Sequence, residues 1–256
     1  MISVGIDIGS ITAKAAILDG GQLKGTFFQG TGYDAKKAAA AALQKVLTIS
    51  GYEKSDVDVV VATGYGRKSV SFADKTITEI SCHAAGAHFA NPDVRSVIDI
   101  GGQDSKAMVI SPNGKVLDFA MNDKCAAGTG RFLEVMARAL EVDLEQLGDI
   151  SLKSNAPATI SSLCTVFAES EVISLIAKGE QRENIVAGIH ASIGARVVAM
   201  AGRLGLTSPM MMTGGVAKNV GLVRMLEEKI GMPVEISEQA QVLGAIGAAL
   251  IGQQGR

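Results

Sequence analysis

The 256-residue sequence lacks several features that mark common classes of protein. Its formal net charge is −2 and its basic residues form no runs, so we expect neither nucleic acid nor an anionic membrane as a partner. No apolar run reaches the length of a membrane span, and the chain begins with a strand pattern rather than a signal peptide. Its three cysteines are too few and too widely spaced for a disulfide framework. We therefore expect a cytoplasmic protein with reduced cysteines.

A short motif occurs twice in the chain. The segment SVGIDIGSITAKAAI begins at Ser3, and VIDIGGQDSKAMVI begins at Val97. Aligned without a gap, they share Ile-Asp-Ile-Gly at 6–9 and 98–101 and Lys-Ala at 14–15 and 106–107. Each copy has the pattern of three strands joined by hairpin turns and followed by helices. Because 47% of the residues are hydrophobic, the chain can bury a large core, and we expect a duplicated α/β protein.

The glycine turn after the first strand of each copy can hold a phosphate group. Its glycines let the backbone approach an anion, Ser10 and Thr12 add hydroxyl donors, and Lys14 adds a positive charge. The carboxylates of Asp7 and Asp99 suit a hydrated Mg²⁺, which prefers one or two carboxylates together with water and phosphate oxygens. One such turn is common in proteins that bind nothing. Two copies, however, can hold a polyphosphate from both sides.

A third glycine turn follows the apolar strand in MMMTGGVAKN, Met210–Asn219. Gly214 and Gly215 would let a base or ribose lie against the backbone, although a plain strand-to-helix turn explains them equally simply. The order of the three turns resembles the phosphate-1, phosphate-2 and adenosine motifs of the actin, sugar-kinase and Hsp70 ATPase superfamily. This resemblance implies an α/β fold of two similar ribonuclease-H-like halves hinged over a nucleotide cleft. The expected halves are 1–92, completed by the C-terminal helix, and 93–256, which carries the cysteines and the adenosine motif.

Two of the cysteines precede predicted helices. At a helix N-terminus, the dipole would stabilise Cys125 and Cys164 as thiolates or as ligands of an anionic metal cluster. An iron–sulfur cluster needs four ligands, so two chains would have to share it. Burial as small apolar residues explains both cysteines equally well. Cys82 lies in an Ala-rich helical pattern and is expected in the core. The three histidines, His83, His88 and His190, suggest no metal site.

Seven segments together resemble one family. They are GIDIGSITAKAAI (5–17), ATGYGR (62–67), EISCHAAGA (79–87), DIGGQDSK (99–106), NDKCAAGTGRFLE (122–134), CTVFAESEVISL (164–175) and TGGVAKN (213–219). The chain resembles the activator component of 2-hydroxyacyl-CoA dehydratases, in the family that also contains the ATP-binding subunits of benzoyl-CoA reductase. The resemblance spans nearly the whole chain and keeps the order and spacing of the motifs.

The resemblance implies a specific chemistry. ATP or ADP would bind with Mg²⁺ held near Asp7 and Asp99 through water, and Gln103 or Asp104 would orient the attacking water. Hydrolysis would drive one low-potential electron from ferredoxin or flavodoxin to the dehydratase. The electron would pass through one [4Fe-4S] cluster, shared across a homodimer by two cysteines from each chain. By motif these are Cys125 and Cys164. The expected nucleotide contacts are Gly9, Ser10, Ile11, Thr12, Ala13, Lys14, Gly101, Gly102, Lys106, Gly128, Gly130, Gly214, Gly215, Lys218 and Gln241.

Two other functions stay open at this point. An ATP-binding, electron-activating subunit of a benzoyl-CoA reductase-type complex would have the same motifs, although the compact length favours the freestanding activator. A small-molecule kinase of the same fold would need a substrate-binding insertion. No segment stands out as that insertion, and a kinase would leave the cysteine pair unexplained.

Overall fold

The computed structural model of the chain describes residues 1–161 and 164–254. These residues form two five-stranded sheets with the same topology. In each sheet, three consecutive strands pair antiparallel, and two later strands add in parallel beside the first of them. The first sheet contains β1 (Ile2–Ile8), β2 (Thr12–Asp19), β3 (Gln22–Gly30), β4 (Val59–Thr63) and β5 (Lys75–Thr76). The second contains β6 (Ser96–Ile100), β7 (Ser105–Ile110), β8 (Val116–Asn122), β9 (Met210–Thr213) and β10 (Val234–Ile236).

The repeated motif becomes a repeated structure. The register of β1 with β2 sets Asp7 opposite Lys14, and the register of β6 with β7 sets Asp99 opposite Lys106. Strands β4, β6 and β9 are buried along their whole length, as expected for strands that are covered on both faces of a sheet. The edge strands β5 and β10 escaped prediction because they contain only two and three residues.

The described residues also form eight α-helices. They are α1 (Ala35–Ser50), α2 (Glu79–Ala90), α3 (Gly130–Ala139), α4 (Leu147–Ser151), α5 (Thr165–Ala177), α6 (Arg182–Ala201), α7 (Val220–Ile230) and α8 (Leu243–Gln254). Capping residues determine both ends of α1. The Asp34 carboxylate accepts a hydrogen bond from the Lys37 N–H at its start, and Gly51 ends the helix in the left-handed conformation.

Helices α2 and α8 each pack on the sheet that is distant in sequence. Helix α2 follows the first sheet along the chain but contacts β6, β7, β8 and β9, whereas α8 at the C-terminal end contacts β1, β2 and β4. The two helices also pack against each other, with Gly86 facing the Leu243 carbonyl and Gly247 facing the Cys82 carbonyl. Together they occupy part of the space between the sheets. The division of the chain into domains at residue 92 stays a prediction.

Helix α6 is the one helix among the described residues that is long and apolar enough to be considered as a membrane span. This rests on the length and composition of Arg182–Ala201 alone, and 56% of its most apolar window is buried inside the protein. Its side chains Ile185, Ile189, Ile193 and Val197 recur every four residues and pack in the core of the second half. We therefore interpret α6 as a core helix.

Candidate active site

A cavity of about 440 Å³ opens between the two sheets. Its wall contains the ends of β1 and β6 and the hairpin turns that follow them. Most of the predicted site residues line it: Asp7, Gly9, Ser10, Ile11, Thr12, Lys14, Asp99, Gly101, Gly102, Gln103, Asp104, Lys106, Gly130, Gly214, Gly215, Lys218 and Gln241. The structure therefore brings most of the predicted residues together around one cavity, and contact of each residue with a nucleotide remains a prediction.

Two of the predicted nucleotide contacts lie outside the cavity lining. Ala13 is completely buried in the core of the first half, because side chains alternate along β2 and its neighbours Thr12 and Lys14 face the cavity. Gly128 adopts a positive φ of 91° and lies beside the side chain of Arg196. These positions shape the strand and the loop rather than the cavity wall.

The two hairpin turns have the same internal hydrogen bond and face each other. The Gly9 N–H donates to the Thr12 carbonyl at 2.9 Å, and the Gly101 N–H donates to the Asp104 carbonyl at the same distance. A methyl group on Gly102 would lie 2.5 Å from Ile11 Cδ1, so the turn of one half contacts the turn of the other. An anion between them would therefore meet backbone from both sides.

A second pair of matching turns follows β4 and β9, and the sequence reading found only one of them. Gly64 and Gly214 have φ values of 87° and 89°. A Cβ on Gly64 would lie 2.4 Å from Asp7 Oδ1, and one on Gly214 would lie 2.9 Å from Asp99 Oδ1. Only glycine allows this conformation and this close approach. The sequence signal that could have predicted both turns is the Thr-Gly pair at the end of each buried strand, at 63–64 and at 213–214.

Buried charges are concentrated on the cleft wall. Lys14 Nζ lies 2.9 Å from Asp7 Oδ2, while Lys106 Nζ lies 3.2 Å from Asp99, 2.8 Å from Asp104 and 3.5 Å from Glu79. Burial alone would lower the pKa of Lys106, but the surrounding carboxylates outweigh it and raise that pKa above its ordinary value. The Lys106 ammonium is therefore charged at neutral pH.

Asp99 is ionised for a similar reason. Burial favours its neutral form, but electrostatic interactions with His83 and Lys106 and the hydrogen bond from Thr213 outweigh burial and lower the pKa of Asp99. Glu79 differs in the outcome: burial is again the largest single influence, but here the opposing effects of Lys106 and His83 do not outweigh it, so the pKa of Glu79 is raised.

Glu79 and His83 also line the cavity, and the sequence analysis did not predict them there. Both lie on the first turns of α2. His83 Nδ1 lies 3.2 Å from Asp99 Oδ1 and 3.1 Å from Thr213 Oγ1. The spacing of four residues, which places both side chains on one helix face, was the available signal within EISCHAAGA.

The carboxylates fit a hydrated magnesium ion. Asp7 and Asp99 are each 2% exposed and both line the cavity. Among residues 1–161 and 164–254, no group of three or more His, Cys, Asp or Glu side chains could hold a metal ion. Two carboxylates are nevertheless enough for Mg²⁺, which keeps most of its waters and takes further oxygens from phosphates.

The three cysteines have different surroundings. Cys82 is completely buried on α2, as expected, and burial raises the pKa of its thiol to about 12. Cys164 is exposed at the N-cap of α5. Cys125 is partly exposed in the loop between β8 and α3, where its backbone exchanges hydrogen bonds with the Asn122 side chain. The helix-dipole argument therefore applies to Cys164, whereas Cys125 lies five residues before α3.

Sequence comparison relates the chain to known ATPases. The family described as BadF/BadG/BcrA/BcrD ATPase family matches residues 4–252. The chain is 47% identical to the 2-hydroxyisocaproyl-CoA dehydratase activator of Clostridioides difficile over 253 residues, which cover 98% of this chain and 94% of the relative. It is 33% identical to a benzoyl-CoA reductase subunit of Thauera aromatica, with 98% and 93% covered.

Structural comparison gives the same relationship. The structure of component A of the Acidaminococcus fermentans (R)-2-hydroxyglutaryl-CoA dehydratase matches with a TM-score of 0.95 at 46% identity, covering 99% of this chain and 98% of that one. The Clostridium difficile activator with bound ADPNP matches with a TM-score of 0.93 at 46% identity, covering 99% and 95%. A ROK-family glucokinase from Streptomyces griseus shares the fold alone, with a TM-score of 0.62 at 14% identity and full coverage of both chains. The predicted actin-like and sugar-kinase-like fold is thus confirmed.

Proposed function

Because the chain belongs to the BadF/BadG/BcrA/BcrD ATPase family, we propose that it uses ATP hydrolysis to activate a 2-hydroxyacyl-CoA dehydratase. The observation that carries this proposal is the pair of facing glycine turns with buried Asp–Lys pairs, in a chain that matches such activators from end to end. The lower identity to the benzoyl-CoA reductase subunit favours the freestanding activator over a component of that complex.

In this proposal, different cleft residues bind the phosphates, bind Mg²⁺ and orient the attacking water. The facing turns would hold the phosphates, and Asp7 and Asp99 would hold the water shell of Mg²⁺, which would neutralise phosphate charge. Asp104 is already paired with Lys106 at 2.8 Å, whereas the Gln103 side chain is exposed at the cleft. Gln103 is therefore the better candidate to orient the attacking water.

A [4Fe-4S] cluster shared by two chains fits the cysteines. Thiolates are the usual ligands of such clusters, which supply one-electron transfer, and four are needed. Cys125 and Cys164 provide two accessible thiols per chain, so a homodimer provides four. Next to Cys164, helix α5 exposes Val166 and Phe167 at 65% and 66%, as expected for a surface that a second chain covers.

The proposed reaction needs two further partners. Ferredoxin or flavodoxin supplies a low-potential electron, and the dehydratase component receives it and carries out the chemistry on the acyl-CoA. An exposed cluster would react with oxygen, so we propose that the protein works in the cytoplasm of cells under anaerobic conditions.

Iron content tests the electron-transfer function. Protein purified anaerobically should be brown, bind about four irons per dimer and bleach in air. Cys125→Ser and Cys164→Ser should each lose the colour and weaken the dimer, because each removes two of four ligands from the shared cluster. Cys82→Ser should keep both, since Cys82 is buried away from the surface. Iron and dimer mass would be measured by colorimetric assay and light scattering.

Three outcomes would contradict parts of this proposal. Reconstituted wild-type protein that binds ATP but no iron would remove the electron-transfer function. Loss of iron in Cys82→Ser but not in Cys164→Ser would overturn the ligand assignment. ATP hydrolysis that appears only with an added sugar, with phosphate transferred to it, would favour the kinase.

A further inference from the structure

The duplicated aspartates have unequal surroundings. Asp7 accepts from Lys14 Nζ at 2.9 Å, and the hydroxyl of Thr63, at the end of the neighbouring strand, makes no hydrogen bond to it. Asp99 accepts from Lys106 Nζ at 3.2 Å and also from the hydroxyl of Thr213, at 2.8 Å. The sequence repeats these positions, but only the second carboxylate is held at both oxygens.

His83 is the additional group at Asp99. Its ring is 5% exposed, and Nδ1 lies within reach of both Asp99 Oδ1 and Thr213 Oγ1. An ionised carboxylate only accepts, and the Thr213 hydroxyl already donates its proton to Asp99. Both neighbours of His83 Nδ1 are therefore acceptors, so Nδ1 carries a proton and donates it.

The opposite edge of the same ring lies near Asp7. A methyl group on Gly244 of α8 would come within 2.8 Å of His83 Nε2 and 2.9 Å of Asp7 Oδ2. The imidazole of His83 and the carboxylate of Asp7 therefore both lie against Gly244. His83 extends from α2, which packs on the second sheet, while α8 packs on the first. The ring thus spans the gap between the two carboxylates.

We propose that His83 is a positioning residue, which fixes the orientation of Asp99 relative to Asp7 so that both carboxylates meet the water shell of Mg²⁺. His83 acts through Asp99, so its loss should weaken binding of the magnesium–nucleotide complex more than binding of the nucleotide alone. The proposal rests on nucleotide binding in the cleft and does not depend on iron or on a dehydratase.

Three substitutions of His83 distinguish the contribution of Nδ1 from that of Nε2. In His83→Asn the amide nitrogen takes the place of Nδ1 and can still donate to Asp99. In His83→Gln the amide nitrogen takes the place of Nε2, and His83→Leu has no donor at all. His88→Leu is the control, because His88 lies on the same helix but packs beside Gly114, away from the cleft.

Calorimetry of ADP binding, with excess Mg²⁺ and with EDTA, gives the readout. His83→Leu and His83→Gln should each lower affinity for MgADP about tenfold, the effect of one hydrogen bond to a charged group, and change affinity in EDTA less than about twofold. His83→Asn should recover most of the loss, and His88→Leu should match wild type.

Three results would overturn the proposal. One is an unchanged MgADP affinity in His83→Leu. Another is an equal loss with and without Mg²⁺, which would indicate general damage to the cleft. The third is His83→Gln performing as well as His83→Asn. If His83→Leu does not fold, the comparison of the two amide variants decides alone, and an absent iron cluster would leave every arm of this experiment intact.

Discussion

His190, which does not line the cavity, links protonation to the stability of the fold. It lies on α6, where the Asn219 side chain donates to its Nε2 at 3.1 Å. Its Nδ1 is buried and has no hydrogen-bond partner among the residues that the structure describes. Burial lowers the pKa of His190 to about 4, so the folded protein keeps this ring neutral.

Stability should therefore fall in mild acid. Below pH 6.5 the unfolded chain binds a proton at His190 that the folded chain does not bind until about pH 4. As the pH falls from 6.5 to about 4, the free energy of unfolding should decrease by up to about 3 kcal/mol. Above pH 6.5 this contribution of His190 to stability is complete. Denaturant unfolding at several pH values measures it. His190→Gln keeps an acceptor for Asn219 and should flatten the difference; parallel curves for both proteins would contradict the assignment.

At the scale of elements, helices α2 and α8 show how small residues set the spacing between the sheets. A Cβ on Gly247 would lie 1.8 Å from the Cys82 carbonyl, and one on Gly86 would lie 2.1 Å from the Leu243 carbonyl. Gly5 of β1 meets the Ala245 carbonyl in the same way, at 1.9 Å. Backbone atoms cannot move aside as the ends of long side chains can, so these glycines fix how closely the elements approach.

Gly247→Ala should destabilise the protein by about 1–3 kcal/mol, the usual cost of overpacking. Helix propensity alone predicts the opposite, a gain of up to about 1 kcal/mol. Gly194→Ala on α6 is the matched control, because the three atoms nearest its new methyl group, at 3.0–3.4 Å, belong to the flexible side chains of Lys229 and Met225 and not to the backbone. Thermal denaturation should show a lower Tm for Gly247→Ala alone. A higher Tm for both variants would mean that propensity outweighs packing here.

Long elements with a regular pattern were predictable, and short ones were not. The repeated Asp-x-Gly turns predicted β1, β2, β6 and β7 because local turn chemistry determines them. Strand β5, strand β10 and helix α4 have two to five residues, too few for a period to emerge. The crossing of α2 and α8 was also hidden, since both are rich in small apolar residues on every side and no stripe identifies the partner.

At the scale of the whole molecule, the cleft brings together residues from both halves. The order of the glycine turns predicted two facing turns. It could not predict that Glu79 and His83 join them, because that depends on where α2 packs. The motif includes Ala13 as a nucleotide contact, which stays a prediction, and it did not show that strand alternation turns the Ala13 side chain into the core.

A cation–π contact also joins the two halves at the cleft. Lys218, in the turn after β9, lies with its ammonium 5.1 Å from the ring centre of Phe28 on β3. Both side chains line the cavity. Opening the cleft would separate them, so a cation–π interaction of about 0.5–1 kcal/mol should favour the closed form.

Phe28→Leu should therefore release nucleotide faster, by about twofold to fivefold. Stopped-flow displacement of a fluorescent ADP analogue measures the rate. Phe119→Leu is the matched control, because Phe119 is 48% exposed against 47% for Phe28 but lies outside the cleft on β8. Lys218→Met should also speed release, and adding Phe28→Leu to it should have little further effect, since either change alone removes the interaction. Additive effects of the two substitutions would show that Phe28 and Lys218 act on release independently, and the contact would then have no part in holding the halves closed.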